Sequence, residues 1–511
     1  MKEHNFRKQV PKNLAINIFS FVSTVLIGLW LTPYLLKNLG IVAYGLIPLA
    51  MFFSQYIGII LNSINMSIGR FLLIHLQKEE ERESNEIFNT SLVIISVFVV
   101  LQTLVMAIVV FDITFFFDIP DDLVKDAMWL FGLTFIGFSI SLFRSVFGTS
   151  LFAYNRLDIL RMIDIIQNVV RVLTIIILFV YDEPSLKYIG IANLLASISA
   201  VVPTLYYFKV YTPQLKMNLS FFSKERVSEL SKMSTWILIN QVGVLLLGNI
   251  DLYMVNILIG GKATGEYAII IQITSIFKTL ILLLSSVLSP VIMIYYANKE
   301  FDKLKTFIII SSKVMVVGFI LPLAVLVGLS EYILELWLGA QYMYLHKLIS
   351  YSLLFFVFAI PVIPLFNITV AYNKVKTPAL LAIGLGVINV ISIYILTTQT
   401  KLGLWGVISV KLILEILFLF FIIIYVSKLL SIVYTKLLKV YFLSIIFFLI
   451  LYFIVYSIST LIALNMIVNL ILFISILSII VYPTMIFVIL TEEEKLLLFS
   501  RYTFLKKWGT R

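Results

Sequence analysis

Three observations predict an all-α polytopic membrane protein with about fourteen transmembrane helices. The 511 residues are 61% hydrophobic and 13% charged, against about 25% charged in a soluble chain. Apolar stretches of the roughly 20 residues needed to cross a bilayer recur along the chain. The pattern of these stretches also runs twice. Gly40 and Gly45 match Gly260 and Gly265 at an offset of 220. Ala153-Tyr154-Asn155-Arg156 matches Ala371-Tyr372-Asn373-Lys374 at 218, and Gly190 matches Gly406 at 216. Duplicated helix sets are how many secondary transporters are built, with the path between the copies.

The predicted spans are 13–36, 45–76, 87–117, 126–152, 159–181, 186–208, 233–258, 266–296, 306–329, 346–371, 378–397, 403–426, 440–460 and 465–490. Spans longer than about 25 residues must tilt or project beyond the bilayer. The first span follows a polar, basic segment, Met1 to Lys12. It is too long for a signal peptide and has no small-residue cleavage site, so it is expected to stay as a helix. Residues 1–208 then form an N-terminal six-helix bundle and 233–426 a second one, with 427–490 an extra helix pair. The 209–232 linker contains LSFFSKERVSELSKM, with Ser220 or Ser223 as helix cap. It reads as a short amphipathic helix on the inner leaflet. The 491–511 tail reads similarly, with Tyr502 and Trp508 suited to the interface.

Lysine and arginine set the orientation. With the N-terminus inside, the inside segments hold 26 basic residues and the outside segments 6. That asymmetry predicts a multi-pass protein of the cell's inner (cytoplasmic) membrane with both termini cytoplasmic. It also accounts for the basic pI of 9.4, and no basic module outside the spans suggests nucleic acid. The chain has no cysteine, and its three histidines are scattered, so no metal site or cofactor is expected. No loop exceeds about 25 residues or carries a nucleophile–base pattern, which argues against an enzyme.

Six basic residues fall within spans: Arg70, Arg144, Arg171, Lys278, Lys313 and Lys411. A charge near the bilayer centre usually faces an internal cavity. Arg70, Arg144 and Lys313 lie near span ends, where they can snorkel to the interface or line a cavity. Arg171 is about 18 Å into span 5 at 1.5 Å per residue. Arg161, Asp164, Asn168 and Arg171 share one helix face, so Arg171 either pairs with a carboxylate or lines a substrate cavity. Lys278 is equally deep, and Lys411 and Glu415 are spaced i, i+4 for pairing. Asp251, near Asn249 and Asn240-Gln241, is either a proton or sodium site or the partner of a lysine. Three deep cations against two acids favour an anionic ligand, and arginine suits pyrophosphate through its planar fork. Asn62, Ser63, Asn65 and Ser67, with Asn367, Thr369 and Asn389, suit sugar hydroxyls but also join helices. Pro290, Pro322, Pro361 and Pro364 lie within spans, as bending points or static kinks.

The segment NLAINIFSFVSTVLIGLWLTPYLLKNLGIVAYGLIPLA, with Asn13, Pro33, Leu39-Gly40 and Tyr44-Gly45, resembles the start of Wzx-type polysaccharide-repeat flippases of the MOP superfamily. AYNRLD (153–158) and NIDLYMVNILIG (249–260) also resemble that family. The resemblance implies two six-helix bundles around a cationic cavity. It implies alternating-access export of an undecaprenyl-pyrophosphate-linked oligosaccharide from the inner to the outer leaflet, driven by an H+ or Na+ gradient. On this reading Arg171, Lys278, Lys411, Arg70, Asn62 and Asn65 contact substrate, and Asp251 and Glu415 couple the ion. The expected partners are the lipid-linked oligosaccharide, the lipid bilayer and a polysaccharide polymerase. The product could be a capsule, an O-antigen, a teichuronic acid or an exopolysaccharide. Fourteen spans depart from the twelve of many members, and the extra pair could hold lipid or a partner. Lipid II flippases are one alternative, but they carry cavity arginines in the first two helices, where this chain has no Lys or Arg between Lys37 and Arg70. A cation-coupled multidrug (MATE-like) exporter is the other.

Overall fold

The computed structural model describes residues 3–248, 250–461, 467–492 and 494–495, and among them no strand occurs. The helices are α1 (Glu3–Gln77), α2 (Glu81–Phe111), α3 (Ile113–Phe116), α4 (Val124–Ala153), α5 (Leu157–Tyr181) and α6 (Leu186–Tyr211). They continue with α7 (Lys224–Gly248), α8 (Asp251–Ile259), α9 (Gly261–Ala297), α10 (Phe301–Gly328), α11 (Ser330–Leu338) and α12 (His346–Leu353). The last are α13 (Phe355–Ala359), α14 (Phe366–Ala371), α15 (Lys376–Gln399), α16 (Leu404–Leu430), α17 (Tyr434–Leu461) and α18 (Ile467–Ile489). Twelve helical segments among the described residues are long and apolar enough to cross a membrane. The two further predicted spans are the second part of the 75-residue α1, which kinks at Gly40 (φ 79, ψ 170), and α18. The protein is therefore an all-α polytopic membrane protein.

The sequence repeat is also present in the backbone. Glu79 and Lys299 (φ 62 and 58), Asn155 and Asn373 (φ 55 and 52), and Gly40 and Gly260 (φ 79 and 115) are paired left-handed positions. After α4, Asn155 N–H donates to the Phe152 carbonyl and Arg156 N–H to Leu151. After α14, Asn373 N–H donates to Val370 and Lys374 N–H to Thr369 in the same pattern. These are Schellman ends, which cap the last carbonyls and need a left-handed residue just past the helix. Asparagine tolerates that conformation better than most residues, which explains why the Ala-Tyr-Asn-basic signature occurs in both halves.

Three segments depart from the expected plan. Span 7 is divided between α7, which ends at Gly248, and α8, which starts at Asp251 after a turn residue, Ile250. Span 10 breaks into α12, α13, a 3-10 turn at Ile363–Leu365 and α14, around Pro361 and Pro364; proline lacks the N–H and its ring clashes with the preceding turn. The helix expected within the linker is instead the start of α7, which runs from Lys224 into span 7. Asn85 and Asn89 of α2 hold the linker before it, accepting from Lys216 and Asn218 N–H at 2.7 and 2.8 Å. Pro290 and Pro322 sit inside α9 and α10.

By Cα proximity the chain divides into two compact units, Met1–Ile269 with Ala382–Val407, and Ile270–Leu381 with Ile408–Arg511. In the first, α4 packs on α6, α1 and α2, and α6 on α5. Phe88, Phe147 and Phe208 form an aromatic cluster there, with ring centroids 5.1–5.8 Å apart. The repeat-equivalent Gly45 and Gly265 also touch in this unit: a Cβ on Gly45 would lie 2.6 Å from Gly265 N. Equivalent residues meet only near a symmetry axis. Beside them, Asn256 Nδ2 donates to the Asp118 carbonyl (3.1 Å), and Asn256 Oδ1 accepts from Asp118 N–H (3.0 Å). In the second unit the well-buried α10 packs against α17 and α18 of the extra pair. Lys313 of α10 donates to Glu494 just beyond α18 at 2.7 and 2.9 Å.

Candidate functional site: deep charges in the two units

The polar face of α5 is bonded along its length. Arg161 donates to Asp164 (3.2 Å) and to Asn17 of α1 (2.9 Å), and Asp164 lies 4.0 Å from Arg144 of α4. Deeper on the same face, Arg171 Nη2 donates to Asn168 Oδ1 at 3.0 Å. Its buried Nε has no acceptor and no carboxylate pairs with it among the described residues. Arg171 borders a cavity of 230 Å³ with Ser54 of α1, Thr134 and Ser141 of α4, Gln167 and Asn168 of α5, and Asn193 and Ser197 of α6. These groups are held in place: Asn193 Nδ2 donates to Thr134 Oγ1 (3.0 Å) and Ser141 Oγ to Ser197 Oγ (3.3 Å). The chamber can present a guanidinium, amides and hydroxyls to an anion or a sugar. The sequence reading singled out Arg171 but missed Thr134, Ser141, Asn193 and Ser197. Their helical spacing was visible, but the same residue types equally well join helices.

Asp251 lies elsewhere in the same unit, as the first residue of α8, 1% exposed. Its carboxylate accepts from Asn389 Nδ2 of α15 at 2.8 Å and from the Tyr267 hydroxyl of α9 at 3.1 Å. Of its expected neighbours, Asn249 and the side chain of Asn240 lie outside the described residues. Tyr267 was not foreseen, because it is 16 residues away in sequence.

The second unit gathers the remaining deep charges. Lys278 is exposed midway along α9, attracted by Glu415 of α16 and repelled by Lys411 one turn before it. The structure thus brings Lys278, Lys411 and Glu415 into one cluster, while Arg171 and Asp251 occupy separate places in the first unit. Asn65 donates to Ser145 of α4 at 2.8 Å, away from the Arg171 chamber. Arg70 is exposed late in α1, and the side chain of Asn62 lies outside the described residues. Asn367 of α14 donates to Ser285 at 3.5 Å. Among the described residues no group of three His, Cys, Asp or Glu could hold a metal ion.

The same architecture occurs in solved structures. An inward-facing multidrug resistance MATE family transporter of the MOP superfamily superposes with a TM-score of 0.66 at 16% identity, covering 82% of this chain and 98% of that one. An outward-facing conformation of such a transporter gives 0.57 at 14% identity, covering 83% and 96%. A MOP superfamily transporter from Pyrococcus furiosus, with a binding pocket described as of reverse polarity, gives 0.57 at 16%, covering 83% and 94%. At such identities these matches establish the fold, that of MOP-superfamily transporters. In sequence, the chain is 28% identical over 395 residues to an uncharacterized membrane protein, EpsK, of Bacillus subtilis (strain 168), covering 77% of this chain and 78% of that protein. The pattern of the polysaccharide biosynthesis protein family matches residues 10–296, more than half of the chain. With its MOP-type fold and this match, the chain belongs to the polysaccharide biosynthesis protein family.

Proposed function

We propose that the protein is a flippase that moves an undecaprenyl-pyrophosphate-linked oligosaccharide from the cytoplasmic to the outer leaflet for surface polysaccharide assembly. The observation that carries this reading is Arg171: a half-buried guanidinium with a buried, unsatisfied Nε, unpaired with any carboxylate among the described residues, beside a chamber of amides and hydroxyls. Holding a lone charge at membrane depth costs about 3 kcal/mol, a cost that an anionic ligand offsets on binding. Lys278 and Lys411 supply further positive charge, and the prenyl chain stays in lipid. Arg70, Asn62 and Asn65 are further contacts to test. Asp251 and Glu415 are the candidate sites for a coupling H+ or Na+.

With the basic loops on the cytoplasmic side, the Gly45–Gly265 crossing and the Asp118–Asn256 bonds close the outer end of the first unit. Alternating access must part them. The membrane is the cell's inner membrane on this reading, and a polysaccharide polymerase takes the product.

The test is mass spectrometry of prenyl lipids from cells lacking the protein. Accumulation of an undecaprenyl-pyrophosphate oligosaccharide is expected, relieved by the wild-type chain and not by Arg171→Gln at equal protein level. An unchanged lipid pool with normal surface polysaccharide would refute the proposal and favour a small-molecule exporter.

A further inference from the structure

A second cavity, 450 Å³, lies in the first unit among α2, α4 and α6. Val99 of α2, Ile140 and Phe143 of α4 and Val201 of α6 give it an apolar wall. Two hydroxyls on the lining are spent on their own helices: Thr103 donates to the Val99 carbonyl (2.7 Å) and Ser139 to Phe135 (3.0 Å). Ser96 is the third lining hydroxyl, and the rest of the groove offers hydrocarbon contact.

Arg144 lines one end. Its Nη1 donates to Thr204 Oγ1 at 3.2 Å, and its Nη2 is 4.0 Å from Asp164 Oδ1. Asp164 itself is bonded more closely to Arg161, at 3.2 Å. The buried Nε of Arg144 has no acceptor among the described residues. The guanidinium is thus incompletely satisfied beside an apolar groove. Its depth suits a headgroup. A 30-residue helix is about 45 Å long against a hydrocarbon core of about 30 Å, so α4 projects by about 7 Å at each end if centred. Arg144 precedes the end of α4 by nine residues, placing it about 6 Å below the hydrocarbon boundary, within snorkelling reach of the interface. The basic loops mark that end as cytoplasmic.

We infer that this groove binds one anionic phospholipid of the cytoplasmic leaflet. One acyl chain lies on α4 between α2 and α6, and a phosphate oxygen accepts from Arg144. The length of the groove selects this occupant over a prenyl-linked substrate. From Arg144 to Ile136 α4 rises about 12 Å, within the reach of one ordinary acyl chain and a small fraction of an undecaprenyl chain.

Native mass spectrometry of the full chain, incubated separately with phosphatidylglycerol, phosphatidylcholine and undecaprenyl phosphate, tests the assignment. The wild type is expected to retain one phosphatidylglycerol and several-fold less phosphatidylcholine. Arg144→Gln should lose at least tenfold of that retention, and Arg144→Lys should keep part of it. Ile140→Trp, which fills the groove and leaves the Arg144 contacts intact, should abolish it. Wild-type retention by both Arg144→Gln and Ile140→Trp would overturn the proposal. If Arg144→Gln does not fold, retention by Ile140→Trp alone decides the same way. Retention of undecaprenyl phosphate that Ile140→Trp blocks, with phosphatidylglycerol unaffected, would overturn it in favour of the substrate's own tail.

Discussion

Arg171 and Asn389 occupy equivalent places in the two copies of the repeat, 218 residues apart, yet they do opposite things. Arg171 extends a guanidinium into an open polar chamber, bonded to one amide on its own helix. Asn389 is fully buried and donates to Asp251 across the helix break between α7 and α8. A single duplicated scaffold thus carries a cation without a described counter-ion in one copy and a sealed acid in the other. The difference teaches that duplication preserved the backbone, down to the paired left-handed residues, while the chemistry diverged one side chain at a time.

The largest effect expected is at Arg171. Arg171→Gln keeps a donor but removes the charge, and should lower export at least 100-fold with normal protein level, read as surface polysaccharide. Asn389→Gln, at the equivalent place, should leave measurable export. Equal losses would break the comparison. An almost equal effect is expected from locking the end of the first unit that holds the Gly45–Gly265 crossing. A Cβ on Gly261 would sit 3.1 Å from Val42 Cγ1, and the chain has no cysteine of its own. A Val42→Cys, Gly261→Cys pair, oxidised, should block export, and a reductant should restore it. Export by the cross-linked protein would show that this end need not open.

Smaller effects follow from the packing. Gly265→Ala forces a Cβ onto the backbone of Ile41, and overpacking of this kind costs about 1–3 kcal/mol; a lowered melting temperature in detergent checks it. Tyr267→Phe removes one hydrogen bond to Asp251, worth about 1 kcal/mol. Its melting temperature should fall by less than that of Asn389→Leu, which removes the shorter bond. The reverse ranking would place the control of Asp251 on α9.

The smallest effect is at Asp182, outside the spans. The hydroxyl of Tyr188 and the backbone N–H of Glu183 hold its carboxyl below the usual range. That contribution is present above the unfolded carboxyl pKa of about 4 and is lost as pH falls through the lower folded value. Tyr188→Phe should therefore lower the melting temperature slightly at pH 7, with the difference vanishing in acid. A difference that persists there would assign the effect to packing.

Composition, span length and the repeated Gly and Ala-Tyr-Asn signatures by themselves determined an all-α, twice-repeated membrane fold. Lipid forces every spanning backbone to satisfy its own hydrogen bonds, so apolar length is nearly sufficient evidence for a helix. Arg171, Lys278, Lys411, Asp251 and Glu415 were also legible, because ionisable residues are costly at that depth. Only the tertiary structure decided their company. Tyr267 and Asn389 reach Asp251 from 16 and 138 positions away, and Thr134 and Asn193 join Arg171 from two other helices. Period and depth fix where a residue lies along its own helix. Which helix it faces is set by how the helices pack, and a single sequence does not encode that in any local pattern.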